Sequence, residues 1–203
     1  MNHERQYIAV SGPMGIGKTT AASFIARELG YELMEENFSE NPFVADAAKD
    51  PTHYAFQSEV FFLMEKYGQI MKAQQRLTEC GVVQDTPIQQ DVYSYGKALL
   101  HGDEWNLYHR LFLTLEPQLI KPSLLVCLEA TAEVNMERIR SRGRKFEHSV
   151  TADYIKQLTI LNFDWIRNSG IPTVYIPTDH LNIVTSVSAQ KKMIGIIKKQ
   201  LHL

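Results

Sequence analysis

Apolar residues fall into two rhythms along this chain. Short runs with few polar interruptions occupy Tyr7–Val10, Gly81–Asp85, Ser123–Leu128 and Thr173–Ile176, and a less apolar one spans Glu32–Glu35. Such a run suits a strand covered on both faces of a parallel sheet. Between the runs, apolar residues recur at helical spacing near 18–29, 40–49, 54–77, 89–116, 131–142, 151–168 and 186–200. Strand and helix therefore alternate, which predicts an α/β fold: a three-layer αβα domain with a five-stranded parallel sheet and right-handed crossovers. Ligands in such sheets bind beyond the carboxyl ends of the strands. No repeat, low-complexity tract or Pro/Gly/Ser-rich linker divides the sequence, so residues 1–203 read as a single domain.

The first strand runs straight into Gly12-Pro13-Met14-Gly15-Ile16-Gly17-Lys18-Thr19, and the helical pattern opening with Thr20-Ala21-Ala22 follows. G-x-x-x-x-G-K-T between a strand and a helix is the phosphate-binding P-loop. Its glycines let successive backbone N–H groups converge on phosphate oxygens, and the helix N-terminus adds a favourable dipole. Lys18 then reaches the β- and γ-phosphates and the Thr19 hydroxyl can ligate Mg²⁺. ATP and Mg²⁺ are the expected cofactors, and 12–20 the expected nucleotide-binding segment.

Composition narrows the partners. The formal net charge is −2, which gives no general electrostatic case for nucleic acid or a membrane surface. Cys80 and Cys127 lie in or beside apolar runs and read as small buried hydrophobes in a reducing compartment. The seven histidines are scattered rather than clustered as metal ligands. No stretch approaches membrane-spanning length and the polar N-terminus has no signal-peptide pattern, so a cytoplasmic protein is expected.

Further chemistry gathers at the strand ends. Glu36 follows the second run, facing the γ-phosphate side of the loop, where an alcohol acceptor would need a general base; a solvated acidic turn, Glu35-Glu36, is the plain alternative. Asp85 ends the third run, where P-loop kinases often place an acid serving Mg²⁺; a cap made by Asp85-Thr86-Pro87 is the alternative. Arg138 and Arg142 share a helix face, Gly143 ends that helix, and Arg144 follows. Forked guanidiniums suit a transferring phosphate, so this reads as an arginine-rich lid, against a solvated basic helix or an RNA contact. Gln57, Val60 and Met64 form a stripe in which Gln57 could meet a base edge in an apolar slot, and Phe38 could stack on a base; core packing is the commoner explanation of such a helix.

In this order and at these spacings the motifs resemble the deoxynucleoside kinases. Matches include the P-loop, Glu36-Asn-Phe-Ser-Glu-Asn-Pro42 (similar to the bacterial E-P-V-x-E-N-P segment), Tyr54-Ala-Phe-Gln57, Asp85 with Asp91, and Arg138-Ile-x-x-Arg142-Gly-Arg144 followed by Glu147. The resemblance covers most of the chain, from Tyr7 to the helix after Ser149, and implies an αβα P-loop kinase fold. The implied activity is ATP-dependent phosphorylation of a deoxynucleoside 5′-hydroxyl, a step of nucleotide salvage. It implies that Glu36 takes the 5′-hydroxyl proton, Gln57 pairs with the base, Asp85 stands near Mg²⁺, and Asp91 contacts the base. It also implies that Glu147 holds the sugar 3′-hydroxyl, that Arg138, Arg142 and Arg144 are lid arginines, and that the protein is a homodimer.

Two departures stand out. The family's D/E-R-S motif is here Asp85-Thr86-Pro87, without the arginine that helps hold the 5′-oxygen and the base carboxylate. The tyrosine that touches the 3′-hydroxyl is replaced by Ala48. Each lost contact is worth about 1–3 kcal/mol, and Lys97 and Arg110 are candidate substitutes for the arginine. A P-loop kinase of another small alcohol or nucleotide, and a nucleotide-binding regulatory protein with a decayed acceptor site, remain as alternatives. On the base, an ionised Asp91 accepts but does not donate, which favours the amino-bearing bases of deoxycytidine or deoxyadenosine over thymidine.

Overall fold

The computed structural model describes residues 5–36, 38–144 and 147–203. Five parallel strands form one sheet in the order β2-β3-β1-β4-β5: β1 Tyr7–Ser11, β2 Glu32–Met34, β3 Val82–Asp85, β4 Leu124–Glu129 and β5 Thr173–Pro177. All five fall where the apolar runs lie. In register, Val10 of β1 pairs with Asp85 of β3 on one side and Val126 of β4 on the other. The ends of the three central strands therefore lie side by side, and the loops that carry the chemistry leave from them.

The continuous apolar runs are explained by helices on both faces. Ile8, Val10, Val126 and Leu128 pack on one face against α1 (Lys18–Leu29) and α9 (Val187–Gln200), through Phe24, Ile25, Met193 and Ile197. On the other face Ala9, Leu125 and Cys127 pack against Trp165 and Ile166 of α8 (Ala152–Ser169). Every residue of β1 is buried, so a polar replacement there would strand a group without water on either face.

Local signals set the helix ends. Asp50 accepts the His53 backbone N–H at 3.3 Å and Pro51 opens α3 (Pro51–Arg76). Thr131, Thr151 and Ser186 cap α7 (Ala132–Arg142), α8 and α9 through their hydroxyls. Gly143, at φ 68°, ends α7 as its spacing predicts.

Two helical patterns are interrupted. The segment 40–49 gives a 3₁₀ turn, Phe38–Glu40, and then the short α2, Val44–Lys49. The long pattern 89–116 is not one helix. It runs α4 (Ile88–Gln90), a π-helical turn (Asp91–Gly96), α5 (Lys97–Leu99), a break, and α6 (Gly102–Leu115). At Gly96 an added Cβ would lie 2.6 Å from the Tyr108 ring, so the π turn packs directly on α6. Insertions of this kind re-aim side chains and gather at functional sites; here Asp91, Tyr95 and Leu99 are turned toward the strand ends.

Candidate active site

The loop after β1 is a backbone cradle. Gly12, Gly15 and Gly17 hold φ of 145°, 81° and 100°, angles that side-chain-bearing residues avoid. At Gly15 an added Cβ would also lie 2.6 Å from Ile139 Cγ1 and 2.9 Å from the Asn135 carbonyl. Lys18 Nζ donates to the Gly12 and Pro13 carbonyls at 3.0 and 3.3 Å. Burial lowers the Lys18 pKa, while Asp85, Glu36 and Asp91 work to keep it charged. The loop is fastened from behind by Gln90. Its Oε1 accepts the Gly12 N–H at 3.1 Å and its Nε2 donates to the Gly12 carbonyl at 2.7 Å.

Thr19 Oγ1 donates to Asp85 Oδ2 at 2.6 Å. A hydroxyl and a carboxylate side by side beyond β1 and β3 form an oxygen donor set that suits a hard cation such as Mg²⁺. Beside them lies a buried ion pair. Lys66 Nζ is 3.3 Å from Glu36 Oε1, with the two side chains 2% and 7% exposed, and it donates to the Asp85 carbonyl at 2.6 Å. Thr86 bends the chain away with φ 64°, a strained angle for a β-branched residue.

These groups open into a cleft of about 700 Å³. Its phosphate end is formed by Lys18, Thr19, Thr20, Glu36, Asp85 and Arg142. The cleft is lined further by Ala55, Ser58, Glu59 and Phe62 of α3, by Phe38, and by Asp91, Tyr154 and Tyr95, whose hydroxyl lies 3.5 Å from Lys18 Nζ. Ala48 lines the wall too, so the position without its tyrosine faces the cleft. Glu59 and Asp91 are 5% and 4% exposed. Burial pushes both carboxyls well above the ordinary range, and Asp91 further raises Glu59. Asp91 Oδ2 has no partner among the described residues.

The stripe Gln57, Val60, Met64 does not reach this cleft. Gln57 is exposed, Val60 packs among the outer helices and Met64 is 45% exposed. The face of α3 turned inward instead carries Ala55, Ser58, Glu59 and Phe62, an orientation set by packing against α6 and the π turn rather than by the apolar pattern of α3 alone. Lys97 and Arg110 are exposed, and the cation near Glu36 is Lys66. The acceptor-only argument for Asp91 also changes, since a carboxyl raised by burial can carry a proton and donate.

On the lid segment, Arg142 contacts Glu147 through two atoms, Nε to Oε2 at 3.2 Å and Nη2 to Oε1 at 2.5 Å. The Arg144 guanidinium lies 3.7 Å from the same carboxylate and 5.3 Å from the Phe38 ring centre. Both arginines and Glu147 line the cleft. Arg138 does not. Its guanidinium donates to the Ile16 carbonyl at 3.3 Å, the Thr178 hydroxyl at 2.9 Å and the Thr178 carbonyl at 2.6 Å. It ties the P-loop to the end of β5 rather than pointing at a phosphate. Asn37, in the segment that follows Glu36, lies outside the described residues.

The sequence profile of the deoxynucleoside kinases matches residues 8–202. The chain belongs to the deoxynucleoside kinase family. It is 29% identical over 211 residues to the deoxyadenosine kinase of Lactobacillus acidophilus, covering 97% of both chains. It is also 29% identical over 154 residues to the deoxyguanosine kinase of Bacillus subtilis, covering 75% of this chain and 74% of that one. The fold matches a deoxyadenosine kinase from M. mycoides, solved with dCMP and dCDP, at a TM-score of 0.80 and 21% identity, covering 97% of this chain and 98% of that one.

As a deoxynucleoside kinase, the chain transfers phosphate from ATP to a deoxynucleoside. Several site residues of this kinase escape a reading of the sequence. Tyr95 and Tyr154, which line the cleft, and Gln90, which fastens the P-loop from behind, carry no motif. Glu59 and Lys66 did leave a signal: they are charged residues on the same helical face as Ala55, Phe62, Leu63, Ile70 and Ala73, where solvation could not explain them.

Proposed function

We propose that the cleft binds ATP–Mg²⁺ at Gly12–Thr20 and a deoxynucleoside at the Glu59–Asp91 end, with Glu36 as the base that takes the 5′-hydroxyl proton. The observation that carries this reading is the buried Glu36 carboxylate, lining the same cleft as Lys18, Thr19 and Asp85. Phosphoryl transfer asks little covalent chemistry of a protein and much positioning and charge. Lys18 would leave its own loop carbonyls and meet the transferring phosphate. Thr19 and Asp85 would hold Mg²⁺, which supplies charge neutralisation at the phosphates. Arg142 and Arg144 would face the developing charge as a lid, and Glu147 would be freed to meet the sugar.

The base is proposed to be an amino-bearing one. Glu59 and Asp91 line the cleft together, and each carboxyl, protonated or not, keeps an oxygen that can accept from an exocyclic amino group. The names of the relatives, deoxyadenosine and deoxyguanosine kinases, agree with this. We further propose a homodimer in the cytoplasm; both cysteines are free, as a reducing compartment requires.

The test is a panel of natural deoxynucleosides with ATP–Mg²⁺, assayed for monophosphate. Deoxyadenosine, deoxyguanosine or deoxycytidine should exceed thymidine in kcat/KM, and Asp91→Ala should narrow that gap. Thymidine as the best substrate, with selectivity unmoved in Asp91→Ala, overturns the assignment of the base end. No monophosphate from any member of the panel overturns the acceptor class.

A further inference from the structure

We propose that Lys66 is the positioning residue of the general base: its ammonium takes over the work of the arginine that this chain lacks after Asp85, and holds Glu36 oriented beside the P-loop. The proposal rests on the reading of Glu36 as the base.

The geometry is specific. Lys66 projects from the middle of α3, is 1% exposed, and has two close partners, the Glu36 carboxylate at 3.3 Å and the Asp85 carbonyl at 2.6 Å. One ammonium thus spans the β2 loop and the β3 end. The second contact matters as much as the first. The side chain of the same Asp85 holds Thr19 at 2.6 Å. Lys66 therefore sets where Glu36 lies relative to the group expected to carry Mg²⁺. Glu36 needs such an anchor, since it follows a strand of only three residues and belongs to no helix or strand itself.

The electrostatics point the same way. Among the described residues five carboxylic groups line this cleft: Glu36, Glu59, Asp85 and Asp91, with Glu147 paired to Arg142 and Arg144. The cations near them are Lys18, Arg142 and Arg144 in the lining and Lys66 behind Glu36; Lys49, also at the lining, is exposed and paired with Asp46. The first three stand where phosphate would bind, so an incoming nucleotide engages their charge. Lys66 lies behind Glu36 and keeps its charge for the acids. The groups around its ammonium are Glu36 from the β2 loop, Asp85 from β3, Asp91 from the π turn and Glu65 beside it on α3. Burial opposes the charge on Lys66, yet Glu36, Asp91 and Asp85 together raise its pKa above the ordinary lysine value. A buried cation without such partners would lose its proton instead. The position after Asp85 cannot supply the charge, because Thr86 is fully buried and strained in the left-handed region.

The experiment compares Lys66→Met, Lys66→Gln and Lys66→Arg in the full chain, each alone and in a Glu36→Gln background, by steady-state kinetics, pH profile, ATP affinity and thermal melting. Lys66→Met should lower kcat by about 10–100-fold with ATP affinity within about twofold of wild type. The acid limb of its kcat profile should move to higher pH, since the base has lost its adjacent cation. Lys66→Arg should recover most of the rate. In the Glu36→Gln background Lys66→Met should cost almost nothing more, because residues acting as a unit are not additive. An equal loss in both backgrounds, an unmoved pH profile, or a change confined to KM overturns the proposal. Failure of both neutral variants to fold makes Lys66 a stability element and overturns it as well. If Glu36→Gln by itself keeps full activity, it is the reading of Glu36 that falls.

Discussion

On the proposed reading Lys18 supplies charge and Glu36 takes the proton, so each variant should fail differently. Lys18→Ala leaves the glycine cradle and its Gln90 fastening intact, so melting should change little while turnover falls by well over tenfold, an effect above about 1.4 kcal/mol. Retention of more than about a tenth of the wild-type rate would place the catalytic centre elsewhere. Glu36→Gln keeps the shape of a group 7% exposed but cannot take a proton. It should lower kcat by about 10²–10⁴ with ATP affinity unchanged. A matching loss of ATP affinity would make Glu36 a metal or structural residue, with Glu35 the next candidate.

At the scale of elements, α3 is the helix that, on the proposed reading, shapes the acceptor end. Its inward face carries Glu59, whose carboxyl is raised by burial and then by Asp91 and Glu36. The sign follows from linkage. A carboxyl with a raised folded-state pKa contributes its full stability below the ordinary carboxylate pKa, and that contribution is lost as pH rises through the folded value. Glu59→Gln removes the group that must ionise. The variant should therefore melt higher than wild type at pH 8 by more than it does at pH 5, at about 2–4 °C per kcal/mol for a chain of this size. An equal shift at both pH values would mean that Glu59 carries no buried proton. The segment after α7 is the second deciding element. Arg142 and Arg144 both lean on Glu147, and on the proposed lid reading they would exchange that partner for phosphate. Arg142→Ala and Arg144→Ala should lower kcat more than they raise the deoxynucleoside KM. A pure KM effect would assign this segment to the acceptor rather than to the transferring charge.

For the whole molecule, the outer helical layer leaves apolar side chains in water. Leu107 and Leu113 of α6 are 49% and 47% exposed, and Ile160 of α8 is 67% exposed. Burying such a surface is the usual reason for a symmetric pair. Light scattering coupled to size exclusion should give twice the mass of the chain, and Leu107→Glu with Leu113→Glu should give the single mass. A wild-type protein that elutes as one chain at micromolar concentration would remove the homodimer.

The sequence by itself determined the sheet and the phosphate site, because both are written in local terms. Unbroken apolar runs specify strands buried on two faces, and glycine spacing with Lys18 and Thr19 specifies a loop whose contacts are mostly to itself. Asp85, Glu36, Arg142, Arg144 and Glu147 were legible for the related reason that they follow strand or helix ends, which a parallel sheet gathers at one edge. What only the tertiary structure decided was which way the longer helices turn. On α3 a rotation of one or two residues exchanges Gln57 and Met64 for Glu59 and Lys66, and that rotation is set by packing with β3, α6 and the π turn, not by the helix's own sequence. The π turn itself, which aims Asp91 and Tyr95, depends on how closely Gly96 meets Tyr108. Arg138 was misread for the same reason: its position on α7 is local, but its partners, Ile16 and Thr178, come from opposite ends of the chain and meet only when the sheet is assembled.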